Sequence, residues 1–167
     1  MEKTIKSCCF TGHRAEKLPW HNNESDPRCV ALKQKIADVI FALYRDGFRR
    51  FYCGMASGCD LYFGEAVVSL RDEHPEVELE AVIPYDGQAS QWDKPTQKRY
   101  YRLAESADRR TVLHSHYTPD CMMERNRYMV DHSDILVAAY SGCSGGTQNT
   151  MLYAIRSQKR IIQIPLS

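Results

Sequence analysis

Asp134-Ile135-Leu136-Val137-Ala138-Ala139-Tyr140 runs directly into Ser141-Gly142-Cys143-Ser144-Gly145-Gly146-Thr147. The first stretch is an apolar run of strand length, and such a run indicates burial on both faces of a parallel sheet. The second is a glycine/serine turn that opens a helical pattern over residues 147–158. A buried strand, a small-residue turn and a helix are the parts of a strand-turn-helix unit whose helix N-terminus can hold an anion.

The same alternation extends in both directions. Upstream, strand-like runs fall at residues 5–11, 48–53, 77–84 and 110–114, and a last one at 160–165. Helical patterns lie between them. Asp26-Pro27 reads as an N-cap followed by proline at the first helical position. Leu32, Ile36, Val39 and Leu43 mark that helix's apolar stripe, and Gly47 is placed to end it. Further helices are expected to about residue 74, over 95–107, and from a Thr118-Pro119 cap to about 132. Six strands alternating with helices predict a three-layer α/β/α, Rossmann-like, mostly parallel sheet over residues 1–167 as one domain. In such sheets ligands bind beyond the carboxyl ends of the strands, where the strand order reverses.

Bulk composition narrows the function classes. A net charge of +1 supplies no overall drive toward nucleic acid or anionic membranes. No apolar run reaches membrane-spanning length, and the charged first residues do not read as a signal peptide, so a cytoplasmic location is expected. Of the seven cysteines, Cys8, Cys9 and Cys53 sit in strand-like runs and read as buried free thiols. His114-x-His116 with Cys121 nearby lacks a second matched pair for a four-ligand zinc site. Trp92, Tyr100 and Tyr101 can stack on a base or pack a helix; packing is the simpler use.

Three loops with unusual composition should emerge on one edge of the sheet. Thr11-Gly12-His13-Arg14 offers hydrogen-bonding and cationic groups to an anion. Gly54-Met55-Ala56-Ser57-Gly58-Cys59-Asp60 places two glycines between a strand and a helix N-terminus, a phosphate-sized concavity of backbone N–H groups. Asp60 can cap the helix, bond a ribose hydroxyl or orient the loop. The third loop carries Ser141, Gly142, Ser144, Gly145, Gly146 and Thr147, with Thr150 one turn on. Neither G-x-G-x-x-G nor a Gly-Lys-Ser/Thr ending is present. Arg125 and Arg127 are two apart and do not share a helix face, so alone they read as two solvated arginines. The long segment 12–25 exceeds ordinary loop length and is a candidate lid.

Together these motifs resemble the SLOG superfamily, in particular its YpsA-like branch. The resemblance rests on Thr11-Gly12-His13-Arg14 with Lys17-Leu18, and on Gly54-Met55-Ala56-x-Gly58-x-Asp60. It continues through Arg125-Asn126-Arg127, Ser144-Gly145-Gly146-Thr147-x-x-Thr150 and the ending Lys159-Arg160-Ile161-Ile162-x-Ile164-Pro165. The resemblance implies a Rossmann-like fold and a site for a nucleotide or nucleotide-derived small molecule, including ADP-ribose-like ligands. It implies ligand contacts at Gly12, His13, Arg14, Gly54, Met55, Ala56, Ser57, Gly58, Asp60, Arg125, Asn126 and the third loop with Thr150. It also makes a homodimer an expectation. Single-stranded DNA, bound by the DNA-processing proteins of this superfamily, is the less favoured partner here because the chain is nearly neutral. The lonely-guy phosphoribohydrolases of the superfamily use P-G-G-x-G-T-x-x-E. Here the glutamate position is Thr150 and the leading proline position is Gly142. A hydroxyl cannot stabilise an oxocarbenium-like centre or activate water as a carboxylate does, which disfavours that reaction and leaves any turnover open.

Overall fold

The computed structural model describes residues 4–166. The first three residues, part of the stretch read for a signal peptide, lie outside it. Six strands form one sheet: β1 (Lys6–Gly12), β2 (Phe48–Cys53), β3 (Glu78–Ile83), β4 (Arg109–Val112), β5 (Ile135–Tyr140) and β6 (Arg160–Pro165). All are parallel, in the order β4-β3-β2-β1-β5-β6. The connecting helices are α1 (Pro27–Arg45), α2 (Cys59–Glu73), α3 (Lys94–Ser106), α4 (Cys121–Asp131) and α5 (Gly146–Arg156). A single 3-10 turn, Ala15–Lys17, follows β1.

The order reverses beside β1. From β1 the chain steps outward through β2 and β3 to β4, then returns across the sheet to place β5 on β1's other side. Right-handed crossovers put α1, α2 and α3 on one face and α4 with α5 on the other. Two apolar clusters match those faces. The larger contains Phe10, Phe51, Phe63, Leu79 and Ile135, and the smaller contains Cys9, Met129, Leu136 and Ala154. β5 is buried over Ile135–Ala139, as its apolar run requires. Cys8, Cys9 and Cys53 are buried free thiols, and burial pushes the Cys9 thiol up to about 12.

Asp26 caps α1 by accepting from the Arg28 N–H at 2.8 Å, with Pro27 in the first turn. Gly47 follows the helix at φ +97, the left-handed conformation expected of a terminating glycine. α4 departs from expectation. It starts at Cys121, and Thr118-Pro119 instead forms a preceding turn in which Cys121 N–H donates to the Thr118 carbonyl. Segment 12–25 is pinned rather than loose. Leu18 and Trp20 are buried in the main core, and the Trp20 indole donates to the Tyr62 hydroxyl at 3.1 Å. Glu24 pairs with Arg99 of α3. A free lid over this whole segment is therefore not what the packing provides.

Candidate functional site

The reversal beside β1 decides which loops meet. Thr11 is level with Ala138 and Gly12 with Ala139, so β1 and β5 end side by side. Their following residues connect directly: His13 Nε2 lies 2.9 Å from Ser141 Oγ. Burial, then the charge of Lys17, lowers the His13 pKa below its ordinary value.

The loop after β2 closes the other side. Cys59 N–H donates to the His13 carbonyl at 3.1 Å. Gly58 has φ +77, and a Cβ there would stand 2.6 Å from the Ala15 nitrogen. A Cβ at Gly12 would stand 2.6 Å from the Cys59 Cβ. These loops are thus packed backbone to backbone. Met55, fully buried, is held at φ 64, a sparsely populated conformation for a non-glycine residue.

Arg125 lies at the centre of the third contribution, from α4. It is only 4% exposed, so the reading of two solvated arginines fails for it; burial under the sheet edge could not be seen from spacing. Its Nη1 donates to the Gly54 carbonyl, and its Nε donates to Asn126 Oδ1 at 2.7 Å. Asn126 Nδ2 donates to Thr150 Oγ1 at 2.9 Å, and that hydroxyl donates to the Gly146 carbonyl at 2.8 Å. A continuous chain of hydrogen bonds therefore runs from the β2 loop through α4 to the first residue of α5. Arg127 is exposed, over the Tyr153 ring.

These elements enclose a mainly polar cavity of about 270 Å³. The β1 side contributes Gly12, His13, Arg14 and Lys17, and the β2 loop contributes Ala56 and Asp60. α4 contributes Met122, Arg125 and Asn126, and the β5 loop contributes Gly145, Gly146 and Thr147. α5 opens here without a side-chain cap, so its first N–H groups are free for an anion. Gly145 takes φ +143 and ψ −160, a conformation open essentially to glycine alone. A Cβ at Gly145 would sit 3.5 Å from Lys17 Nζ, and one at Gly146 would meet nothing within 4 Å. The lysine thus borders the open N-terminus of α5.

Asp60 does not cap α2. Its Oδ2 accepts from the Ala56 N–H at 3.1 Å and holds the loop, while the carboxylate borders the cavity at 6% exposure. Burial raises its pKa, opposed by Arg125, the Ala56 N–H and Arg14. Burial likewise lowers the pKa of Arg125.

Not every expected residue reaches the cavity. Gly54, Met55 and Gly58 build the loop behind it. Ser57 faces a neighbouring depression lined also by Glu16, Trp92 and Asp93. Ser141 positions His13, Gly142 and Ser144 lie exposed on the loop, and Thr150 is buried beneath Gly146. Trp92 packs edge-on against Tyr100, and Tyr100 against Tyr101. Thr11, Glu16, Lys17 and Met122 also line the cavity, although the sequence motifs that include Thr11 and Lys17 did not mark them as ligand contacts. The signal was available for two of them. Lys17 follows Arg14 by three, one turn of a 3-10 helix, and Met122 precedes Arg125 and Asn126 by three and four. A larger depression, about 610 Å³, lies around Ser7, Arg50 and Asp134 at the opposite end of the sheet. It is more open, and among the described residues no helix N-terminus lines it.

Comparison with known proteins agrees with this architecture. Residues 8–166 match the YspA SLOG family. The chain is 26% identical over 160 residues to a UPF0398 protein of Halalkalibacterium halodurans, covering 93% of this chain and 83% of that one. It is 30% identical over 142 residues to the SPbeta prophage-derived protein YoqJ of Bacillus subtilis, covering 77% and 83%. Among solved structures it is similar to DNA processing protein A of Helicobacter pylori, described for its single-stranded DNA binding mode. That match has a TM-score of 0.62 at 16% identity and covers 97% of this chain and 66% of the other. The corresponding protein of Streptococcus pneumoniae gives a TM-score of 0.64 at 14% identity, over 96% and 50%. At these identities the likeness shows the Rossmann-like fold, and this chain spans between half and two thirds of those proteins. No helix among the described residues is long and apolar enough to cross a membrane.

Proposed function

This chain belongs to the YspA SLOG family, and on that premise we propose that the cavity between the ends of β1 and β5 binds a nucleotide or nucleotide-derived small molecule by its phosphate. The observation that carries the reading is the convergence of the three loops with Arg125 on one cavity at the point of strand reversal. Free N–H groups of α5, with Lys17 beside them, favour an anion. Arg14, Lys17 and Arg125 set three cations against the carboxylates of Glu16 and Asp60. The volume, about 270 Å³, lies just below the usual range of ligand pockets, about 300–1,000 Å³. That favours a mononucleotide-sized ligand over a dinucleotide.

A thermal-shift screen of nucleotides, sugar nucleotides and ADP-ribose tests this on the wild type and on Gly146→Asp. A ligand about a hundredfold above its Kd should stabilise the wild type by roughly 2.7 kcal/mol. A Cβ at Gly146 meets nothing within 4 Å, so Gly146→Asp should fold, and its carboxylate at the anion cradle should abolish the shift. Folded wild-type protein unmoved by every ligand would overturn the reading. The likeness to DNA processing protein A supports a second reading, single-stranded DNA binding, which predicts oligonucleotide affinity falling steeply with salt.

A further inference from the structure

The anion-binding reading leaves one feature of the cavity unexplained, and the inference here rests on that reading. Asp60 is a buried carboxylate in a site whose three cations and open helix N-terminus favour a negative ligand. Its one hydrogen bond among the described residues is from the Ala56 N–H to Oδ2. No cation among those residues lies within 4.0 Å of it. Arg125, the nearest candidate, is committed to the Gly54 carbonyl and Asn126 Oδ1. Holding an ionisable carboxyl out of water with so few partners is unfavourable, and a protein keeps such a group where a ligand completes it.

An ionised carboxylate has only acceptor sites, and so has a phosphate dianion, so those two do not satisfy each other. The ligand must present a donor there. Arg14 and Arg125 lie near enough for their charges to act on Asp60, whereas Lys17 borders Gly145. The cavity therefore offers a phosphate end at α5 and an acceptor end at Asp60. In a compact ligand the donor next to a phosphate is a sugar hydroxyl, and a carboxylate oxygen accepting from a ribose hydroxyl is an established solution on sheets of this kind. We propose that Asp60 is a specificity residue that accepts hydrogen bonds from the ribose hydroxyls of the ligand, so that the site selects ribose phosphates over deoxyribose phosphates and bare phosphate.

Calorimetric titration of the full chain with ribose 5-phosphate, 2-deoxyribose 5-phosphate, inorganic phosphate and AMP tests this. The expected result is ribose 5-phosphate binding at least about tenfold tighter than its deoxy counterpart, the loss of one hydrogen bond to a charged group. Asp60→Asn, which can still accept from Ala56, should shrink that ratio toward one. The wild-type ratio stands as a test even if the variant fails to fold. Equal binding of ribose and deoxyribose phosphates would overturn the inference and leave the phosphate site standing. AMP binding without ribose 5-phosphate binding would overturn it in favour of a base N–H at Asp60. Failure of all four to bind would overturn both this inference and the reading beneath it.

Discussion

The loop after β2 and the loop after β5 are both glycine-bearing strand-to-helix turns on one sheet edge, yet their glycines do opposite things. In the first, side chains are excluded because neighbours already fill the space. A Cβ at Gly54 would lie 2.9 Å from Arg125 Nη1 and from Asp60 Oδ2, and one at Gly58 would strike the Ala15 backbone. In the second, Cβ atoms at Gly142 and Gly146 would meet nothing within 4 Å. The first loop is the wall of the site, and the second is left open at a helix N-terminus. Composition offered both as phosphate cradles and favoured the second, which follows the most apolar strand; packing separates their roles.

Substitutions break this comparison most sharply at Gly58. Gly58→Ala combines a left-handed φ with a backbone collision and should destabilise by about 2–4 kcal/mol in denaturant titration. A loss under about 0.5 kcal/mol would mean that the two loops are not locked together. Gly146→Ala should do the reverse. Stability should stay within about 1 kcal/mol of wild type, with any change favourable because alanine suits a helix better. Nucleotide-induced stabilisation should nevertheless fall, as a methyl enters the cradle.

A smaller effect should separate the loops by pH. Burial and Lys17 lower the His13 pKa, so the unfolded chain takes up this proton before the folded one does. The stability that neutral His13 provides is complete above about pH 6.5 and is lost as pH falls through and below that value. Tm measured between pH 7 and pH 5 should drop less in His13→Asn than in the wild type; parallel curves would contradict the assignment. Last, with no expected effect on stability, Cys143 in the open loop is the exposed thiol, while the other six are buried. A thiol-reactive dye should titrate one cysteine rapidly in the native protein and all seven in denaturant. Two or more fast thiols would show that the packed regions open.

The strands were readable because their signals are local. The expected bounds of β2 and β6 coincide with those observed, and the apolar run of β5 dictates its burial. β5 begins one residue later than expected because Asp134 is drawn into pairing with Ser7, whose N–H it accepts at 2.9 Å. The last helix ends two residues early, with Gln158 at φ 59 turning the chain toward β6. What could not be read was anything set by the long return from β4 to β5. That crossover lays α4 over the sheet edge, buries Arg125 and puts Asn126 against Thr150. No spacing within α4 reveals which of its faces will be covered. Nor does Thr118-Pro119 reveal that its turn precedes the helix rather than capping it.

The open loop after β5, the β1 turn and Arg125 are proposed to act together as one anion-binding cavity. The most direct measurement is amide chemical-shift mapping of the full chain titrated with AMP. Saturable shifts are expected at Gly12–Arg14, Ala56 and Gly145–Thr147, with the groove between α1 and β6 around Leu32 and Leu166 unaffected. Shifts that cluster in that groove, or around Ser7 and Arg50 at the far end of the sheet, would contradict it.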